Sequence, residues 1–395
     1  MKPLIIVGTG LAGYTLAREY RKREPNAPLV LLADDDGAFY SKPRLSNAFK
    51  DGKSADQLLQ MPANEMAKQL NATILTGVCV SMIDPQAKTL LVDGQTLAWS
   101  KLVLACGASP VRLPLAGDAV GQVLSVNNRL DYASFREALI GKRSVVLLGA
   151  GLIGCEFAND LAGHGFAVTV VDCAPHPLGR LLPVEGGTTL QKRLEQAGVC
   201  FRFGSSIARV DRNATSLKLT LDDASVLDTD MVLSAVGLMP RTELAKAAGL
   251  AVQRGIVTDQ ILQTSHLDIY ALGDVVQIDD WVLPFVLPLM AQARALAVTL
   301  SGQPTPVHYP AFPVTVKTPA CPTVICPPVS GVDGQWLNET LPDGWRGEYR
   351  SPAGELHGFA LMGETAIRDR LLLTKQINDW LPALPHHSTT KCLPP

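Results

Sequence analysis

The chain has 395 residues, 47% hydrophobic and 18% charged with 33 glycines, which excludes a disordered or fibrous protein and points to two or three α/β domains. Its 35 Lys and Arg against 37 Asp and Glu leave a formal net charge of -2, so no whole-molecule field draws it to nucleic acid or to an anionic membrane. No run of about eighteen apolar residues predicts a spanning helix, and the opening MKPLIIVGTG turns into glycine too soon for a secretory leader, so a cytoplasmic protein is expected. The eight cysteines (Cys79, Cys106, Cys155, Cys173, Cys200, Cys321, Cys326, Cys392) show no CxxC spacing. They predict mostly buried, inert thiols rather than a zinc site or a disulfide framework.

In chain order, Leu4-Ile5-Ile6-Val7 reads as a strand, Gly8-Thr9-Gly10-Leu11-Ala12-Gly13 as a turn, and the residues through Tyr20 as a helix. Gly8 permits the tight turn, Gly10 lets backbone approach a pyrophosphate, and Gly13 lets the helix lie against the strand. Free amides at the helix start would hold the phosphates. Charge-assisted hydrogen bonds contribute roughly 1.5 to 3 kcal/mol each, against roughly 0.3 to 1 kcal/mol for an exposed helix-dipole contact. A second strand, Leu29 to Ala33, runs into Asp34-Asp35-Asp36, and Asp34 is placed to accept from ribose hydroxyls.

Between Lys101 and Pro110 a strand reaches Ala105 and crosses at Gly107, and a second unit then begins. Ser144 to Leu148, Gly149-Ala150-Gly151-Leu152-Ile153-Gly154, a helix and Val168 to Asp172 repeat the first unit, and Met231 to Pro240 closes it with a crossing at Gly237. One glycine fingerprint alone also occurs in ligand-free strand-to-helix turns, but two complete units, each with its acid, define two dinucleotide sites. Asp172 would accept from the adenosine ribose and repel a 2′-phosphate, which favours NADH, with Arg180 the nearest counter-argument. The expected fold is α/β with two Rossmann-like domains, the second (113–240) inserted in the first (1–112 and 241–304). The strand ending Ala271-Leu272-Gly273-Asp274 returns to the first domain.

These two GxGxxG turns and the terminal Gly273-Asp274 resemble the FAD-dependent pyridine-nucleotide oxidoreductases across essentially the whole chain. The resemblance implies FAD at the first turn, NADH at the second, and a small α+β C-terminal domain over 305–395. Disulfide reductases of that family carry CxxxxC near the segment Phe39-Tyr40-Ser41-Lys42-Pro43-Arg44-Leu45-Ser46, related NADH oxidases one cysteine, and thioredoxin reductases CxxC. Here no cysteine precedes Cys79, so electrons are expected to leave the flavin directly. Cys321 and Cys326 lie among Pro319, Pro322, Pro327 and Pro328, which predicts a loop and no redox role.

Tyr-Ser-Lys-Pro-x-Leu-Ser is similar to the rubredoxin reductases, with flavorubredoxin reductases and dioxygenase ferredoxin reductases as near relatives. It departs from the RPPLSK of the last group at Lys42 and at Asn47. Val286 to Ala291 and Val314 to Pro322 resemble the rubredoxin reductases of alkane-oxidising bacteria. The implied acceptor is rubredoxin, an acidic one-electron carrier that would feed an alkane hydroxylase. Alternatives are a ferredoxin, a flavorubredoxin or a quinone as acceptor. A non-catalytic redox-signalling flavoprotein of the apoptosis-factor type is a further reading, opposed by the lack of a basic tract.

The resemblance puts Lys42 and Lys317 beside the isoalloxazine, Glu156 at the nicotinamide in contact with Lys42, Asp274 on a ribityl hydroxyl, and Val80, Pro43 and Val286 against the cofactor. The plain alternatives are a solvated Lys42, a Glu156 that merely complements a helix start, a capping Asp274, and core valines. His164, His176 and His386-His387 show no metal spacing and are expected at the surface. Lys42, Arg44, Lys50 and Lys53, joined by Arg368, Arg370 and Lys375, form the basic patch expected to meet the acidic partner. Oligomeric state is not written in these motifs, and the last residues, HHSTTKCLPP, read as a tail.

Overall fold

The computed structural model describes residues 1–329 and 331–382. Leu4–Val7 and Leu29–Leu32 are apolar at every position rather than alternating, as a sheet covered on both faces requires. They form a five-stranded parallel sheet in the order 73–75, 29–32, 4–7, 101–104, 269–271. The helices Leu11–Arg23 and Val286–Leu300 pack against each other on it. The strand order reverses between 4–7 and 101–104, and in open α/β sheets ligands bind at the carboxyl ends of the strands at such a switch.

A second parallel sheet repeats this plan in the order 199–203, 167–172, 144–148, 231–234, 123–124. Its switch falls between 144–148 and 231–234, and the helix Leu152–Ala162 starts there. The chain passes through a three-stranded antiparallel meander before the strand across the switch point in both units, over 80–98 ahead of 101–104 in one and over 207–229 ahead of 231–234 in the other. The sequence reading missed these meanders. Ser216–Leu221 nonetheless buries Leu217, Leu219 and Leu221 in strict alternation, the period-two signal of a half-buried strand. The two crossings bond to each other: Arg241 N–H donates to Gly107 O (3.0 Å) and Val111 N–H to Gly237 O (3.0 Å), with 108–110 paired antiparallel to 238–240.

The last sheet is antiparallel, in the order 314–316, 323–326, 356–362, 344–350, 335–341. Val316, Ile325, Ala360 and Met362 share a buried core with Leu190 and Leu194 of the helix Val184–Gln196 and with Phe157. The opposite face, through Val324, Cys326, Phe359 and Leu361, is covered by Ala366, Leu373 and Ile377. Successive residues therefore serve different cores, which ties this sheet to the second nucleotide unit.

Several expectations need correction. Cys326 ends the strand Thr323–Cys326, so the surrounding prolines flank a strand instead of making a loop. Only Cys155, Cys321 and Cys326 are buried among the described cysteines, while Cys79, Cys173 and Cys200 are exposed. Burial does push the Cys106 and Cys326 thiols up to about 12, which keeps both protonated and unreactive near neutral pH. His176 is buried rather than superficial, since its ring fills the space a side chain at Gly187 would take: a Cβ there would stand 2.0 Å from the ring. Cys392, His386, His387 and the HHSTTKCLPP tail lie outside the described residues. No helix among those residues is long and apolar enough to cross a membrane, and no group of His, Cys, Asp or Glu among them could hold a metal.

Candidate functional site

The first glycine turn sits on the first switch point. Gly8 has φ +115, and a Cβ there would stand 2.3 Å from Ala105 O; a Cβ on Gly13 would stand 1.9 Å from Gly8 O. The protein itself therefore demands glycine at both positions. Gly10 differs, because a Cβ would meet no protein atom within 4 Å. Glycine there fits a close approach by something other than protein, and the amides of Leu11, Ala12 and Gly13 open the helix beside it. Thr9 is buried in the turn, and Ala33 and Asp34 follow the neighbouring strand. Of the three successive acids, Asp35 turns back to accept Gly37 N–H (2.9 Å) and Asp36 pairs with Arg129. Asp34 stays mostly exposed, with Arg241 Nη1 at 3.3 Å, so its carboxylate is the one still free to receive a hydroxyl.

The second turn reproduces these features. A Cβ on Gly154 would lie 1.9 Å from Gly149 O, one on Gly149 2.8 Å from Ala235 O, and one on Gly151 clear of all protein atoms. Asp172 ends its strand and accepts the N–H groups of Ala150 (2.5 Å) and Ala174 (2.7 Å), which fixes the carboxylate at the rim of the turn. Arg180 is exposed two residues beyond the buried Leu178. Ala105, Gly107 and Gly237 line the crossings, Val80 opens the first meander, and Val286 begins its helix with 39% of its surface exposed.

Lys42 and Pro43 start a 3-10 turn, Lys42–Asn47, after the short strand Phe39–Tyr40. Asp274 lies in another such turn, Gly273–Val275, and a Cβ on Gly273 would strike Ala12 at 2.8 Å. Lys42 and Asp274 bear on each other's charge: burial pushes the Lys42 ammonium down, opposed by Asp274, and pushes the Asp274 carboxyl up, opposed by Lys42. Each partly holds the other's charge in a poorly solvated place.

The expected Glu156–Lys42 contact is not formed. Glu156, with 3% of its side chain exposed, pairs instead with Lys317 Nζ and Ser46 Oγ and accepts Lys317 N–H at 2.9 Å. Lys317 Nζ also donates to Ser46 Oγ at 3.1 Å. The strand Val314–Val316 delivers Lys317 directly to Glu156, whereas Lys42 stands at the opening of its turn, and it is Ser46, within that turn, that reaches Glu156. Ser46 and Arg241 were not foreseen. Ser46 lay inside the quoted motif, and its hydroxyl three residues from the proline was the available signal.

Two parallel sheets with glycine turns at both switch points, and an antiparallel third sheet sending a lysine between them, define a two-dinucleotide oxidoreductase. Residues 2–297 match the family model described as Pyridine nucleotide-disulphide oxidoreductase, and the chain belongs to that family. FAD and NADH are the cofactors this membership implies, and the open sides of Gly10 and Gly151 fit them. Residues 306–377 match a model described as Rubredoxin binding C-terminal domain. The chain is 48% identical over 383 residues to a rubredoxin-NAD(+) reductase of Alcanivorax borkumensis, covering 97% of this chain and 100% of that one. It is 46% identical over 391 residues to one of Acinetobacter baylyi, again covering 97% and 100%. Among solved structures, a ferredoxin reductase for the CYP199A2 system of Rhodopseudomonas palustris superposes with a TM-score of 0.87 at 25% identity, covering 96% of each chain.

Proposed function

We propose that the chain takes a hydride from NADH through FAD and passes the electrons one at a time to rubredoxin, in the cytoplasm where NADH is available. The observation that carries this reading is that the stretch matched to rubredoxin binding, 306–377, sends Lys317 onto Glu156, on the helix that opens the second nucleotide turn. Bound FAD supplies the conversion of a two-electron donor into a one-electron donor. Gly8 to Gly13, Ala33, Asp34, Val80, Ala105, Gly107, Asp274 and Val286 hold it, in a domain of 1–112 with 241–304. Gly149, Gly151, Gly154, Asp172 and Gly237 hold NADH in 113–240, and 305–395 meets the acceptor. Lys42 places positive charge against the flavin ring, while the Lys317–Glu156 pair, nearly neutral as a unit, orients the nicotinamide side. An alkane hydroxylase as the destination of the electrons is supported by the segments Val286–Ala291 and Val314–Pro322.

Asp172 gives one test. Asp172→Ala removes the charge that repels a 2′-phosphate together with the acceptor for two turn amides. The NADH-over-NADPH ratio of kcat/KM should fall by about tenfold, a loss of roughly 1.4 kcal/mol in discrimination. An unchanged ratio would take Asp172 out of the NADH site.

The partner surface gives another. Lys42 is half-buried, so the patch rests chiefly on exposed Arg44 and Lys50, half-buried Lys53, and exposed Arg368, Arg370 and Lys375. Charge governs the on-rate of small transient complexes, so reduction of rubredoxin should slow as salt rises from low to physiological ionic strength. A flat salt profile contradicts the steering.

A further inference from the structure

The segment bearing Lys42 and the segment bearing Lys317 both hang on one helix, Leu152–Ala162. Glu156, Asn159 and Asp160 stand at i, i+3 and i+4 on it, so they share a face. Each accepts main-chain N–H groups from another part of the chain: Glu156 from Lys317 (2.9 Å), Asn159 from Ala320 (3.0 Å), and Asp160 from Phe49 (3.0 Å) and Lys50 (2.8 Å). Asp160 is the unusual member. Only 3% of its side chain is exposed, no Lys or Arg among the described residues reaches it within 4.0 Å, and the nearest basic ring is that of His164, Nδ1 at 3.9 Å, two residues past the end of the helix. Burial pushes its carboxyl up, opposed by the Lys50 and Phe49 amides and by His164.

A buried carboxylate without a close cation is unfavourable unless its oxygens are engaged, and here one oxygen meets each amide. Those amides follow the Lys42–Asn47 turn directly. The Phe49 ring is itself fixed, edge-on to His164 (5.0 Å) and Phe166 (5.6 Å), with the Arg136 guanidinium 4.3 Å from its centre. The far end of the turn is thus held on the helix, and its near end carries Lys42.

We propose that Asp160 is a positioning residue: by gripping the Phe49 and Lys50 amides from the helix that opens the NADH site, it sets where the Lys42 ammonium stands against the flavin ring. The inference rests on the function proposed above, with Lys42 beside the flavin. It makes the two nucleotide sites share one rigid element, so the cationic side of the flavin is indexed to the helix that receives the nicotinamide.

The sign of one measurement separates this from a through-space charge effect. If Asp160 acted only by its own negative charge, Asp160→Asn would remove an anion and make the flavin easier to reduce. If Asp160 acts as a grip, Asn keeps one acceptor, turns an NH2 group toward the other amide, releases the turn and withdraws Lys42. The flavin then becomes harder to reduce. We expect the two-electron reduction equilibrium of the purified holoenzyme to shift by about tenfold, a midpoint potential about 30 mV more negative, with Asp160→Ala shifting it further.

A potential that stays put or rises overturns the proposal. Should neither variant fold, amide exchange on the wild-type holoenzyme decides: Phe49 and Lys50 should exchange more slowly than neighbouring Asp51, and equal rates overturn it. A wild-type protein that took up no FAD, or no electrons from NADH, would instead remove the underlying function. The two failures are therefore distinguishable.

Discussion

A Gly13→Ala variant will emerge from purification nearly free of flavin. The added methyl would stand 1.9 Å from Gly8 O and 3.0 Å from Gly8 C, and both are main-chain atoms of the turn that Ala105 confines on its other side. No side-chain rotation relieves such a collision. Either the helix Leu11–Arg23 lifts from the strand Leu4–Val7 or the turn opens, and both displace the amides that would face a pyrophosphate. Overpacking of this kind costs roughly 1 to 3 kcal/mol, occasionally more. The upper end corresponds to FAD binding weaker by about 100-fold. Flavin absorbance per chain, with titration of the apoprotein by FAD, reads this directly, and wild-type occupancy would contradict it. Gly10→Ala makes the contrast, because its methyl meets no protein atom: that variant should fold as wild type and lose affinity only through contact with the cofactor.

Lys317→Met should be the most destabilising of the single-charge changes. Glu156 would keep Ser46 Oγ and the residue-317 N–H but lose the one cation that pairs with it among the described residues, while remaining buried. Removing one partner of a buried pair costs roughly 3 to 5 kcal/mol, and the residual exposure of Lys317 places the effect near the lower figure, about 3 kcal/mol. Because the pair joins the C-terminal sheet to the second glycine-turn helix, the loss should appear as a lower urea midpoint and as slower reduction of rubredoxin together. The double variant Lys317→Met/Glu156→Gln tests the cause: with no buried charge left over, much of the lost stability should return. If the double variant is no more stable than the single one, the buried charge is not the source.

The nucleotide domains were legible because their chemistry is local. A strand, a turn and a helix occupy about twenty consecutive residues, and an acid follows on the next strand, so Gly8 to Asp34 and Gly149 to Asp172 could be read without knowing the fold. The expectation of an inserted second domain rests on the crossings at Gly107 and Gly237, which repeat each other in sequence and bond to each other in the structure. What could not be read was a choice between distant partners. Lys42 and Lys317 were both assigned to the flavin region, and Glu156 could serve only one of them. Pairing it with Lys42 followed the family habit, whereas the structure brings in Lys317 from the final sheet, 161 positions along the chain.

Asn159 and Asp160 were passed over for a different reason. On a helix whose residues Gly154 through Leu161 are all buried, two adjacent polar side chains demand partners, and that conflict was visible in the sequence. The identity of those partners was not, because they are backbone amides, which carry no residue-specific signature. His176 misled in the opposite direction: a lone histidine between prolines looks superficial, yet Gly186 and Gly187 leave room for Trp345 and for its own ring.

The central claim is electron transfer from NADH to rubredoxin. Anaerobic stopped-flow tests it most directly, reducing the holoenzyme with one equivalent of NADH and then mixing it, side by side, with purified rubredoxin and with a ferredoxin. The account predicts bleaching of the flavin by NADH, much less by NADPH, followed by reoxidation that is faster with rubredoxin. Faster reoxidation by the ferredoxin, or none by rubredoxin, would contradict it.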